Sequence, residues 1–138
     1  MADAVHLIDY YYIEMSDRPG EGARTLRALQ DAGVNLAALH AFPSGRRAQV
    51  DFVPSDPAAF KAAAKAAKWK VTGPKKAFMI DGDDRTGALA GHFAKLADAK
   101  INVTAVSATV AGAGRYGAIF WVTPRDVKKA ARVLGAAG

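Results

Sequence analysis

The sequence predicts an α+β fold made of two copies of one βαββαβ unit, each an antiparallel sheet with its helices packed on one face. Three observations carry this expectation. The chain matches itself at an offset of 67 positions, the distance from Asp17 to Asp84, and a fixed internal period is the mark of a duplicated unit. Both copies run through the same succession of strand-like and helix-like patterns. Polar turns containing glycine separate those patterns at matching places.

The match is densest between residues 17 and 42, where ten of 26 aligned positions are identical. They include Asp17/Asp84, Arg18/Arg85, Gly20/Gly87, Leu29/Leu96, Asp31/Asp98 and Asn35/Asn102; four of the ten are alanines, which weigh less in an alanine-rich chain. Other pairs keep their apolar character, such as Leu26/Phe93 and Val34/Ile101. After a three-residue insertion the alignment resumes with Pro54 and Asp56 against Pro124 and Asp126.

Each element then has its own reason. Tyr10 to Met15 and Ala77 to Ile80 are apolar first strands that meet a turn. A helix follows in each copy, because Ala23, Leu26 and Leu29, or Leu89, Phe93 and Leu96, fall on one face at helical spacing. Strand-like runs come next at Leu36 to Phe42 and Val103 to Val110, turning through glycine into Arg47 to Val53 and Tyr116 to Val122. Arg47, Gln49 and Asp51 alternate with Ala48, Val50 and Phe52, which reads as a half-buried strand with its polar residues outward. Pro57 after Ser55-Asp56 suits the first turn of a second helix over Ala58 to Lys68. Its counterpart spans Asp126 to Leu134, and Trp69-Lys70-Val71 supplies a short last strand before a boundary at Gly73-Pro74. The copies are therefore expected at residues 1–72 and 73–138. The second copy has almost nothing left for a last strand. Either its sheet has three strands, or Val5 to Ile8 lends one.

The totals restrict function. At 138 residues the chain fits one ordinary domain or two small ones. Without cysteine there is no disulfide, thiolate metal site or cysteine nucleophile. No uninterrupted apolar run approaches the ~20 residues of a membrane span, and the start lacks the pattern of a signal peptide. A cytoplasmic protein is expected. The net charge of +6, from 19 basic and 13 acidic residues, favours anionic partners in general and identifies none.

The βαββαβ order is the ferredoxin-like split unit, and here a family resemblance enters. Asp17-Arg18-Pro19-Gly20, a helix, then Gly33-Val34-Asn35-Leu36 resembles the signature of the ACT family, amino-acid-binding regulatory domains. Asp84-Arg85-Thr86-Gly87 through Lys100-Ile101-Asn102-Val103 repeats it. The resemblance implies a tandem, freestanding regulatory protein that binds a small molecule such as an amino acid, acts on a separate enzyme partner and catalyses nothing itself. It implies ligand contacts from Asp17, Arg18, Gly20 and Asn35 in one copy and Asp84, Arg85, Gly87 and Asn102 in the other. The chemistry agrees, since glycine at a helix N-terminus exposes backbone N–H groups to a carboxylate, and an asparagine amide can both donate and accept. Each residue also has a plain structural explanation. The aspartates could cap helices, and asparagine suits the turn after a helix. Gly22, where the family packs a large aliphatic residue as Leu89 does, and Thr86 in place of proline make the two copies unequal.

Other patterns point elsewhere. Gly112 to Gly117 satisfies a dinucleotide-binding expression but leads into a strand, and so reads as a hairpin loop. Asp81, Asp83 and Asp84 suggest a calcium loop, yet His92 stands where its last acidic ligand belongs. His6, His40 and His92 have no ligand spacing, so no metal and no cofactor is expected. Lys61, Lys65 and Lys68 form one basic helix stripe, by default a solvated face. RNA-recognition motifs share the βαββαβ order, and Arg115 to Trp121 partly resembles their aromatic third strand. An RNA-binding protein, or a small ferredoxin-like enzyme, are thus the alternatives. Finally, Ile119 and Trp121 replace Gln49 and Asp51 on the outward face, and with Tyr10, Tyr12 and Met79 they predict a buried apolar face, by homodimer formation or by burial of one copy's sheet against the other.

Overall fold

The computed structural model describes residues 2–138 and contains, among them, six β-strands and four α-helices in an α+β arrangement. In chain order these are β1 (Ala4–Ser16), α1 (Glu21–Asp31), β2 (Leu36–Ser44), β3 (Arg47–Pro54), α2 (Pro57–Ala66), β4 (Thr72–Asp83), α3 (Ala90–Asp98), β5 (Val103–Gly112), β6 (Arg115–Val122) and α4 (Val127–Leu134). Every strand and helix expected from the hydrophobic pattern is present except the strand at 69–71. The chain divides into two compact units: Asp9–Lys75, and residues 2–8 together with Lys76–Gly138. This differs from a division at 72/73, because β1 and β4 are each long enough to serve both units.

In the unit Asp9–Lys75 the neighbour order is β2-β3-β1, completed by residues 72–75 of β4. β1 and β3 pair antiparallel with Tyr11 opposite Phe52 and Met15 opposite Ala48; β2 and β3 pair with Leu39 opposite Phe52. Tyr11, Ile13, Met15, Val50 and Phe52 share one sheet face and form a core with Leu29 of α1 and Phe60 and Ala64 of α2. The Phe52 and Phe60 rings lie 5.3 Å apart, a separation at which tilted aromatic pairs attract. Asp56 caps α2, accepting from the backbone N–H groups of Ala58 and Ala59. Trp69 is not in a strand. It stacks on Phe52 with 6.3 Å between rings, and the extended run starts only at Thr72. Gly73-Pro74 consequently lies inside β4, not at a boundary. A side chain at Gly73 would put its Cβ 2.8 Å from the Tyr10 carbonyl oxygen, so only glycine fits this approach of β4 to β1.

The second unit orders its strands β5-β6-β4, completed by the first residues of β1. β4 and β6 pair antiparallel with Gly82 opposite Tyr116; β5 and β6 pair with Val106 opposite Phe120. Val5 joins Phe78, Ile80, Tyr116, Ala118 and Phe120 in the core under Leu96, Ala130 and Leu134. The Phe78 and Phe120 rings stack 5.1 Å apart. Of the two ways to complete this sheet, the loan of residues before Ile8 is the one realised. The segment after α4 adds only Ala137, bonded to Leu7 and Val5 through their backbones.

The likeness between the two units extends to helix termination. Each helix is followed by one residue in the left-handed region: Gly33 (φ 72°) and Lys68 (φ 60°) in one unit, Lys100 (φ 61°) and Gly135 (φ 65°) in the other. At each stop the next backbone N–H turns back to a helix carbonyl, as from Val34 to Leu29 and from Ile101 to Leu96. The turn survives whichever residue is the glycine, although lysine adopts it less readily.

Several outward sheet positions are less wet than alternation predicts. Ile119 and Trp121 are buried, as expected for a face of that composition, but so is Asp51 at 4 % exposure. Its carboxylate accepts a hydrogen bond from Gln49 Nε2 at 2.9 Å, and a buried acid needs such a partner.

Candidate functional site

The loop Asp17 to Gly20 leaves β1 and enters α1, whose first residue follows Gly20 at φ 92°. Gly87 (φ 68°) holds the matching place before α3. Neither Asp17 nor Asp84 caps its helix: α1 starts at Gly20 and α3 at Leu89 without a side-chain cap. Arg18 donates to Ser16 Oγ at 3.3 Å and is exposed. Asn35 lies beyond the other end of α1 and donates to Ser55 Oγ at 3.1 Å; Asn102 follows α3 in the same way. An 11-residue helix is roughly 16 Å long at 1.5 Å per residue. Within a unit, then, the structure groups Asp17, Arg18 and Gly20, and separately Asp84, Arg85 and Gly87, and does not bring either asparagine to them.

An open groove of about 470 Å³ lies beside the first loop, in the unit Asp9–Lys75. Ser16 and Glu21, the residues on either side of Asp17 to Gly20, both line it. Its apolar wall is Ile13, Met15, Ala28 and Trp69; its charged rim is Glu14, Glu21, Arg24, Arg47 and Lys70. Arg47 is steadied by donating to the Glu14 carbonyl at 3.1 Å, and Arg24 lies 3.5 Å from Glu21. Apolar walls with a few charges of both signs suit a small zwitterion. Arg24 on α1, Arg47 on β3 and Lys70 in the segment before β4 are far apart in sequence, which is why spacing along the chain did not find them.

The same place in the second unit is filled. By the repeat offset Met15, Arg18 and Thr25 correspond to Gly82, Arg85 and His92, and by strand pairing Ala48 corresponds to Tyr116. Here the Asp3 carboxylate, only 2 % exposed, enters. Arg85 holds it with both arms, Nη1 to Oδ1 at 3.0 Å and Nη2 to Oδ2 at 2.9 Å. Tyr116 donates its hydroxyl to Oδ2 at 2.8 Å, and His92 Nε2 lies 2.6 Å from the same oxygen. An ionised carboxylate only accepts, so His92 must be the donor. Gly82 has no side chain, and one built there would collide with Asp3.

These bonds set the protonation states. Hydrogen bonding from Arg85 first, then from His92 and Tyr116, holds the Asp3 carboxyl well below the usual carboxylate range, against the opposing effect of its burial. Burial, and then the bond to Asp3, push the Tyr116 hydroxyl up to about 12. The Arg85 guanidinium is raised in turn by its bond to Asp3. Nearby, Arg115 bridges Asp81 and Asp83 at 2.7 and 3.0 Å, so the suspected calcium loop is an exposed ion-pair cluster. Among the described residues no group of three acidic, histidine or cysteine side chains is placed to hold a metal ion.

The aromatic residues of β6 offer no stacking surface for bases. Tyr116 and Phe120 point into the helix-side core, and Trp121 is 8 % exposed. RNA recognition on such a sheet needs those rings free. Residues 113 and 114 turn β5 into β6, so the glycine-rich stretch is the expected hairpin loop. No helix among the described residues is long and apolar enough to cross a membrane.

No protein-family profile matches the sequence, and a search of curated proteins finds no match. Solved structures do match. Protein BT0572 from Bacteroides thetaiotaomicron superposes with a TM-score of 0.81 at 18% identity, over 95% of this chain and 88% of that one. The regulatory subunit of aspartate kinase from Thermus thermophilus, in its ligand-free form, gives 0.65 at 17% identity over 98% and 96%. That of Thermus flavus gives 0.60 at 17% over 98% and 95%. The chain has the fold of these regulatory subunits, which bears out the resemblance to ACT proteins at the level of fold.

Proposed function

We propose that this chain is a tandem pair of ferredoxin-like ACT units that binds a small amino acid and passes the binding event to a separate enzyme, without catalysing a reaction itself. The observation that carries the reading is the groove beside the Asp17 to Gly20 loop, with arginines 24 and 47 and Lys70 set for a carboxylate and Glu14 and Glu21 for an ammonium across an apolar wall. The fold it shares with aspartate kinase regulatory subunits supports the regulatory part. Asp17, Arg18 and Gly20 belong to the loop between Ser16 and Glu21, which themselves line the groove. Asp84, Arg85 and Gly87 are the corresponding group in the second unit, while Asn35 and Asn102 serve the far ends of their helices. The setting is cytoplasmic and the assembly a homodimer, formed at the strand edges where Leu39 (46 % exposed) and Val110 (58 % exposed) leave apolar side chains open.

Thermal unfolding against the twenty amino acids tests the reading. One or a few should raise the transition temperature saturably, because a ligand bound only by the folded state stabilises it by mass action. Arg47→Ala should abolish the rise. No rise from any of them, together with salt-sensitive RNA binding, would overturn it.

A further inference from the structure

We propose that Arg85, His92 and Tyr116 form a second ligand site, specific for a carboxylate, and that Asp3 is its built-in occupant. Four donor groups converge on the two oxygens of one buried carboxylate. The Arg85 fork matches the planar two-oxygen geometry of that group, placing one N–H on each oxygen. Gly82 supplies the room: it is the repeat partner of Met15, and its missing side chain is the space the carboxylate enters. The cradle satisfies both oxygens of the carboxylate, and the equivalent place in the other unit is an open groove.

Occupation from within the chain has a definite consequence. A tethered carboxylate acts at an effective concentration of roughly millimolar or more, so a free carboxylate must exceed that to enter. A ligand carrying a CH2–COO⁻ group reproduces the part of Asp3 that is bound. The site then responds only to high concentrations of such compounds, or when the segment before β1 is drawn away. This inference stands apart from the groove of the other unit, and either can fail alone.

Asp3→Ala in the full chain empties the cradle, and acetate is the probe, with sodium chloride at equal ionic strength as control. The variant should unfold at a lower temperature than the native chain and recover saturably with acetate at roughly millimolar levels, the affinity four heavy atoms can supply. The native chain should follow the chloride control. Adding Arg85→Ala should remove the recovery. If Asp3→Ala does not fold even with acetate, Asp3→Asn, similar in shape but neutral, should show the same selective response. An Asp3 variant that folds yet gains nothing from acetate beyond chloride makes Asp3 a structural strut and overturns the proposal. So does an equal response from the native chain.

Discussion

The two units share a fold and differ at one end. Both pack a strand phenylalanine on a helix phenylalanine, Phe52 with Phe60 and Phe120 with Phe93, and both stop their helices on a left-handed residue. Where β1 meets α1, however, Met15 and Thr25 line an open groove, whereas Gly82 and His92 in the second unit receive Asp3. The packing is alike in the two units, and what the loop end of the helix faces is not. The difference reduces to a few side chains: a glycine that makes space, and a histidine and tyrosine that make donors.

Exchanging the glycine and the methionine is the most forceful way to break this comparison. Gly82→Met should drive Asp3 out of its cradle and cost about 3 kcal/mol through overpacking. Met15→Gly should cost a similar ~3 kcal/mol by leaving a cavity, and should widen the groove instead of closing anything. Urea unfolding measures both; a neutral Gly82→Met would show that the cradle contributes little.

Acid dependence sharpens the comparison with a smaller effect, because the second unit contains a carboxyl held far down. The folded pKa of Asp3 lies below its ordinary value of 3.8, so its contribution is complete above that value and is lost as pH falls beneath it. The native chain should therefore lose stability more steeply below about pH 4 than Asp3→Asn does. At the other end Tyr116 is raised to about 12; its contribution is complete below the ordinary tyrosine value of about 10 and lost as pH rises through 12. Tyr116→Phe should flatten that alkaline limb. Identical acid limbs in the native chain and Asp3→Asn would mean that Asp3 titrates normally.

Much of the fold was legible because the signals are local. Helical spacing at Leu26 and Leu29, alternation at Arg47 to Phe52 and the offset between Asp17 and Asp84 need no knowledge of distant contacts. The errors came where a strand serves two units. Trp69 to Val71 look like a strand in isolation, but the Trp69 ring is claimed by Phe52. The outward place of Asp51 depends on surroundings that alternation does not encode. The site was legible only in part. The repeat marks the loop Asp17 to Gly20 that lies beside the groove, while Arg24, Arg47 and Lys70 converge on it from separate segments and left no spacing to read. Asp3 lies 82 residues from Arg85 and 113 from Tyr116. One clue did exist: Gly82 against Met15 is a large-to-small change inside an otherwise apolar repeat, the kind of position where something else fills the space.

The central claim is that one unit offers an open amino-acid site and the other a site already filled. Isothermal titration of the native chain with whichever amino acid raises its unfolding temperature tests this most directly. The account predicts one ligand per chain, lost in Arg47→Ala and retained in Arg85→Ala. Two equivalent ligands per chain, or a single one lost with Arg85 instead of Arg47, would contradict it.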